Sequence, residues 1–295
     1  MIAFVTYEVK KTRGTKSLFR LDKHIILRTI GERKMPYIKS ICRAGKTKEI
    51  AKYYTRRFQP GGEKRSEKKK ETTEQQQKVN DRQLARKLTY LLNANFDNTS
   101  RLVTFSYKAE CRPDIEKMKR QKRELLKKMR KVYKDEGKTL KYVEVAEVGE
   151  RGAMHIHMII NDIDMRKIEK LWNYGFVTSK PLDESGQYRK LAEYFIKYYQ
   201  KTRKTAEKVQ SKAYNCSRNL KRPEPQKLVM RGMRISKKIE IPKGWYLDKE
   251  SVIEGITADG YQFFSYTLIE CRKKHMKTCV YSTYEITMCL FFPSP

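Results

Sequence analysis

Two of the four histidines in this 295-residue chain stand as His155-Ile156-His157 inside a β-rich run, Ala153–Asn161. Alternation along a strand sends both imidazoles to one face, while Met154, Ile156 and Met158 go to the other. Two neighbouring imidazoles can chelate one divalent ion. A second β-rich run, Leu140–Val148, precedes the pair. If a three-residue turn, Glu150–Gly152, closes the hairpin, Glu147 lies directly across from His155 on the same face. Glu144 is the alternative carboxylate, although this register puts it on the opposite face, and Glu150 reads as a solvated turn residue. Two imidazoles and a carboxylate leave positions open for substrate and water. Carboxylate and phosphate oxygens favour Mg²⁺ or Mn²⁺, and Mn²⁺ also accepts imidazole, so either ion suits the set. Non-haem iron oxygenases use the same donors, but nothing in the chain signals the buried small-molecule pocket they need.

The second group is Glu193-Tyr194-Phe195-Ile196-Lys197-Tyr198-Tyr199-Gln200-Lys201. On a helix Tyr194 and Tyr198 share a face, and Lys197 and Lys201 each follow one of them by three positions. A phenol titrates near 10, so only about one in a thousand is phenolate at neutral pH. A tyrosine nucleophile therefore needs a proton acceptor and an activated electrophile. Tyrosines at helical spacing also serve as packing or base-stacking residues, which remain the plainer readings. Tyr199 is expected to pack inward with Phe195.

These groups need a scaffold, and the sequence divides into three zones. Residues 1–73 form a basic region with strand-like pieces at Ile2–Tyr7 and His24–Thr29, a basic stretch at Ala51–Phe58 and a polar linker at about 59–77. Residues 74–205 read as one α+β unit. It begins with a helix from about Glu74 to Asn93, striped by Val79, Leu84, Leu88, Leu91 and Leu92. The order β-α-β-β-α-β-α follows: strand Leu102–Tyr107, helix Asp114–Glu136 ended by Gly137, the hairpin above, helix Met165–Tyr174, strand Phe176–Ser179 and helix Tyr188–Lys204. Residues 206–295 are less regular, with short strands at Gln262–Glu270 and Cys279–Met288, and carry no readable chemistry.

The charge balance narrows the partners. Against 34 Asp+Glu stand 67 Lys+Arg, a formal net charge of +33. A chain this positive calls for a polyanion, and nucleic acid is the usual one. The basic faces of helix Asp114–Glu136 are expected to meet backbone phosphates, giving strongly salt-dependent binding with little sequence information. The six cysteines form no close Cys-x-x-Cys pair and read as reduced thiols in a cytoplasmic protein. Met1–Lys10 lacks a signal-peptide core, and no apolar run is long enough to span a bilayer, so no membrane role is expected.

Leu102-Val-Thr-Phe-Ser-Tyr107, the His155-Ile-His157 strand and the Tyr194–Lys201 helix resemble, in order and spacing, the three motifs of the HUH endonucleases. Paired tyrosines four apart, each followed by Lys, are similar to the two-tyrosine initiators of small phages. The layout looks closest to filamentous-phage gene two protein type replication proteins. The resemblance covers about residues 75–205. It implies a ferredoxin/RRM-like antiparallel sheet with helices on one face. It also implies a metal held by His155, His157 and Glu147, nucleophiles at Tyr194 and Tyr198, and Lys197 and Lys201 as their electrostatic partners. The implied activity is nicking and rejoining of single-stranded DNA at a replication origin through a 5′-phosphotyrosine, starting rolling-circle replication. No nucleotide-binding Gly-rich loop is present, so host helicase and polymerase would be partners. Relaxases and transposases share this chemistry. A non-enzymatic nucleic-acid-binding module could use the same sheet, although RRM signature aromatics are not evident on its strands.

Overall fold

The structure, a computed structural model, describes residues 36–54, 72–149, 152–203, 212–230, 234–257, 260–271 and 283–284. The strands expected at Ile2–Tyr7 and His24–Thr29, and most of the polar linker, lie outside these residues. Among them the chain is α+β, with two antiparallel five-stranded sheets.

The site is carried by the sheet of order β6-β3-β5-β4-β7. Its strands are β3 (Arg101–Tyr107), β4 (Tyr142–Val148), β5 (Met154–Ile160), β6 (Gly175–Pro181) and β7 (Asn215–Cys216). Helices cover both of its faces, not one. On one side α2 (Ile115–Asp135) and the short α3 (Met165–Glu169) bury Met118, Leu125, Met129 and Ile168 against Phe105, Ile156 and Met158. On the other, α1 (Glu74–Asn95) and α4 (Arg189–Arg203) bury Leu88, Leu92 and Phe195 against Val143, Val145 and Ile159. The period-two alternation of β4 and β5 supplies apolar residues to both sides, so each face needs its own cover.

Local sequence explains the helix limits. Thr73 caps α1, its side chain accepting from Gln76 N at 3.2 Å. Asp114 caps α2, its Oδ1 accepting from Lys117 N at 2.7 Å. Gly137, at φ +66°, provides the left-handed residue that stops α2. The leucine stripe of α1 is buried as expected at Leu88, Leu91 and Leu92, but Val79 is exposed. The helix expected over Met165–Tyr174 ends at Glu169, giving way to i to i−3 turns at Leu171 and Trp172. Trp172 is drawn out of helical register: its ring packs edge-on to Tyr107 at 4.9 Å and its Nε1 donates to Ser106 O at 2.9 Å. No helix of the described residues is long and apolar enough to cross a membrane.

The second sheet joins segments from both ends of the described chain, in the order β10-β11-β2-β1-β8. Its strands are β1 (Tyr37–Ala44), β2 (Thr47–Tyr54), β8 (Gln226–Met230), β10 (Trp245–Ile256) and β11 (Gln262–Glu270). A small ladder pairs β9 (Ile239–Glu240) with β12 (Thr283–Tyr284), the only described part of the strand expected over Cys279–Met288. Gln262–Glu270 is a strand as expected, whereas β1, β2 and β10 lie where the residue pattern announces none. Cys42, Cys111 and Cys216 are free thiols, but Cys271 is disulfide-bonded, against the expectation of reduced thiols throughout.

Buried Asn93 ties the two sheets together at the base of α4. Its Nδ2 donates to Thr47 Oγ1 at 2.9 Å and to Gln187 Oε1 at 3.0 Å, and its Oδ1 accepts from Tyr188 N at 2.9 Å. Gly45, at φ +56°, closes the β1–β2 turn against Asn93; a Cβ there would stand 1.9 Å from Asn93 O. Asn93→Ala removes the side-chain partner of Tyr188 N and Gln187 Oε1 and one of the two hydrogen bonds of Thr47 Oγ1, and is expected to cost about 1–3 kcal/mol in urea unfolding. A loss below about 0.5 kcal/mol would show that the amide ties nothing together.

Candidate active site

The hairpin between β4 and β5 adopts the register anticipated from its turn. Glu147 pairs with His155 and Val148 with Met154, while Gly149 N donates to Ala153 O at 2.7 Å. Glu147, His155 and His157 consequently share one face of the sheet. Glu144, the alternative carboxylate, is buried on the other face, where its Oε1 accepts from Lys122 Nζ at 2.6 Å and Asn215 Nδ2 at 2.8 Å. That carboxylate is committed to holding α2 and β7 on the sheet.

β3 contributes two hydroxyls that the sequence alone does not single out. In register, Ser106 faces His155 and Thr104 faces His157. Ser106 Oγ lies 3.1 Å from His155 Nδ1, and Thr104 Oγ1 lies 3.1 Å from His157 Nδ1. Each ring is thereby held by its Nδ1, which turns Nε2 towards the rest of the site. The signal visible in the sequence is the Thr-x-Ser alternation on a strand due to pair with the histidine strand.

His157 is 6% exposed and Glu147 is 8% exposed. His157 Nε2 stands 3.1 Å from Glu147 Oε2. Burial lowers the His157 pKa, against the raising effect of Glu147; where Nε2 carries the proton it donates to that carboxylate. Neutral imidazole is the form that ligates a cation. A 3.1 Å spacing of nitrogen and oxygen is close to the roughly 3 Å between adjacent ligands of an ion bound at about 2.1 Å. Because a hydroxyl both donates and accepts, Thr104 can hold His157 in either tautomer. The donor set thus fits a divalent cation in kind. Among the described residues, however, no three His, Cys, Asp or Glu side chains are already gathered as a metal cage. The His155 and His157 ring centroids are 6.2 Å apart.

Over this face lies α4. Its Ala192, Phe195 and Ile196 are buried against the sheet and α1, which turns Tyr194 and Tyr198 towards the histidines. The Tyr198 ring stacks parallel on His157, centroids 4.4 Å apart and planes inclined by 4°. Tyr194 meets the same imidazole edge-on at 6.0 Å, and the Tyr198 hydroxyl donates to that of Tyr194. Burial, together with that bond and the Glu147 charge, pushes the Tyr198 pKa upward. Tyr194 is the open one, 40% exposed. Lys201 Nζ lies 3.7 Å from Glu147 Oε1 and 6.0 Å from the centre of the Tyr198 ring.

The structure therefore brings together His155, His157, Glu147, Tyr194, Tyr198 and Lys201. Lys197 is exposed, with no contact to this group among the described residues. Tyr199 departs from its expected inward packing: it is half-buried beneath Arg203, whose guanidinium carbon is 5.7 Å from the ring centre, while Tyr198 packs against the core. On the far side of α4, Asp81 of α1 accepts from Gln200 Nε2 at 2.8 Å and pairs with Arg203 at 3.5 Å, fixing the rotation of the helix.

Residues 100–203, which run from the threshold of β3 to the last residue of α4, match the family model described as Replication-associated protein ORF2/gene two protein. Over that segment the chain is similar to this replication-associated family. No curated protein and no solved structure matches the chain.

Proposed function

We propose that this protein is a metal-dependent DNA endonuclease and strand transferase that opens and rejoins single-stranded DNA at a replication origin through a phosphotyrosine link. The observation that carries the reading is the stack of Tyr198 and the edge-on approach of Tyr194 on the ring of His157, whose Nε2 lies within hydrogen-bond distance of Glu147. The match of residues 100–203 to a replication-associated family supports it.

In this reading His155, His157 and Glu147 hold Mg²⁺ or Mn²⁺. When bound, the ion supplies Lewis-acid polarisation of a non-bridging phosphate oxygen. The remaining work falls to the chain. A tyrosine oxygen attacks the scissile phosphorus in line; an O–P bond to the tyrosine forms as the bond to the 3′ oxygen breaks. The phenolic proton passes to solvent water and the departing 3′ oxygen takes one from water, so a 5′-phosphotyrosine and a free 3′-hydroxyl result. Thr104 and Ser106 keep the imidazoles oriented. Lys201, beside Glu147 and Tyr198, offsets the negative charge that gathers around the phosphate. The phosphodiester bond energy is retained in the tyrosyl ester, so rejoining needs no nucleotide. Of the two tyrosines, one can hold the first 5′ end while the other cuts the regenerated origin, and host helicase and polymerase would act on the exposed 3′ end.

The test is to incubate the full chain with single-stranded origin DNA and Mn²⁺ and look for an adduct stable in a denaturing gel. An adduct is expected with Mn²⁺ or Mg²⁺, with none after EDTA and recovery when the ion is restored. Adduct of equal yield in EDTA would remove the metal from the reading. Tight binding with no adduct under any metal would leave a nucleic-acid-binding module.

A further inference from the structure

On the other side of the catalytic sheet from the tyrosines, a cleft of about 720 Å³ opens between the C-terminal half of α2, the turn that follows it and the residues after β7. Arg130, Lys134, Lys138 and Arg218 line it with Ser217 and Asn219, and no acidic residue does. Of the four cations only Lys138 has a carboxylate partner among the described residues, Asp162 Oδ2 at 2.7 Å. The wall is built in advance. β7 pairs with β4, Ser217 N donates to Tyr142 O at 3.0 Å, and Asn219 Nδ2 donates to Leu140 O at 3.1 Å. Like charges held around one rigid opening repel one another until an anion enters.

The cleft does not stand alone. Arg120, Arg123, Lys127, Lys131 and Lys134 recur at spacings of three and four on the exposed side of α2, away from its buried Met118, Leu125 and Met129. At 1.5 Å per residue, Arg120 and Lys134 are about 21 Å apart along the helix. Over that length one strand of a duplex presents about six phosphates. Single-stranded sites add exposed aromatic rings on which bases stack. Here the one aromatic residue in the cleft, Tyr142, is buried.

We infer that this cleft and the stripe leading into it bind the phosphate backbone of duplex DNA flanking the nicked strand. The inference rests on the proposed function only for the identity of the polyanion. It divides DNA contact between two faces: single strand at the tyrosines, double strand behind the sheet.

The experiment measures anisotropy of a labelled duplex, and separately of the labelled single strand, with the full chain over a series of salt concentrations. The variant is Arg130→Glu/Lys134→Glu/Arg218→Glu. Its duplex Kd is expected to rise at least tenfold, and the slope of log Kd against log salt to fall by about two to three. Its single-strand Kd and its adduct yield on single-stranded DNA are expected to stay within about twofold of the parent. The milder Arg130→Gln/Lys134→Gln/Arg218→Gln protein should fall between the two, and it decides the matter if charge reversal prevents folding. Unchanged duplex affinity overturns the inference, as does equal weakening on both DNAs. Absence of adduct from the parent protein, with duplex binding still lost in the variant, would remove the nicking reading and leave the cleft.

Discussion

Tyr194→Phe/Tyr198→Phe is expected to abolish the covalent DNA adduct while leaving noncovalent binding of single-stranded DNA within a few-fold of the parent. Phenylalanine keeps the ring, and with it the stack on His157 and the ring contact with Phe195, but it has no oxygen to give to phosphorus. The double variant should therefore fold as the parent does and fail only at the chemistry. The single variants should differ. Tyr194 is the exposed member, whereas Tyr198 is pressed between His157 and the core, and burial raises the pKa of its phenol. Tyr194→Phe is expected to remove most of the first-round adduct, and Tyr198→Phe to leave a substantial part. Quantifying adduct by denaturing gel with a labelled oligonucleotide checks all three. Full adduct from the double variant would assign the nucleophile elsewhere, and the reverse order in the singles would exchange the roles of the two tyrosines.

Much of this arrangement was legible in the residues because it depends on short-range periodicity. The His-x-His alternation, together with a turn of countable length, placed Glu147 opposite His155, and the four-residue spacing put Tyr194 and Tyr198 on one side of α4. What stayed hidden depends on partners remote in the chain. In β1 and β2, Lys39, Arg43, Lys48 and Lys52 share the face that carries Tyr37, Ile41, Ile50 and Tyr54, where residues would ordinarily be apolar. Lys52 is nevertheless buried, because its ammonium group donates to the Ser236 and Lys238 carbonyls nearly two hundred residues away in sequence. No local pattern announces such a strand. Trp172 breaks its helix for a similar reason, since the aromatic cluster it joins is formed by β3. The hydroxyls of Thr104 and Ser106 were in view as letters, but their role appears only once β3 lies beside β5.

Those hydroxyls lead to the second large effect. His157→Ala is expected to lower adduct formation at least 100-fold, and raising the Mn²⁺ concentration should not restore it. The substitution deletes the imidazole that faces Glu147 and the surface on which Tyr198 lies, so both the proposed ligand set and the seat of the tyrosine go together. Thr104→Val separates these two losses. Valine keeps the shape of threonine and leaves the His157 ring in contact with Tyr198, but it cannot hydrogen-bond Nδ1. Loss of such an outer partner costs about 10–100-fold in metal affinity where an imidazole is a ligand. Thr104→Val should accordingly need about 10–100-fold more Mn²⁺ for half-maximal adduct and then approach the parental yield. A purely structural role for Thr104 predicts instead a lower yield with an unchanged metal requirement. If His157→Ala formed adduct at the parental rate, the imidazole beneath the tyrosines would be a packing residue and the metal would have to bind elsewhere.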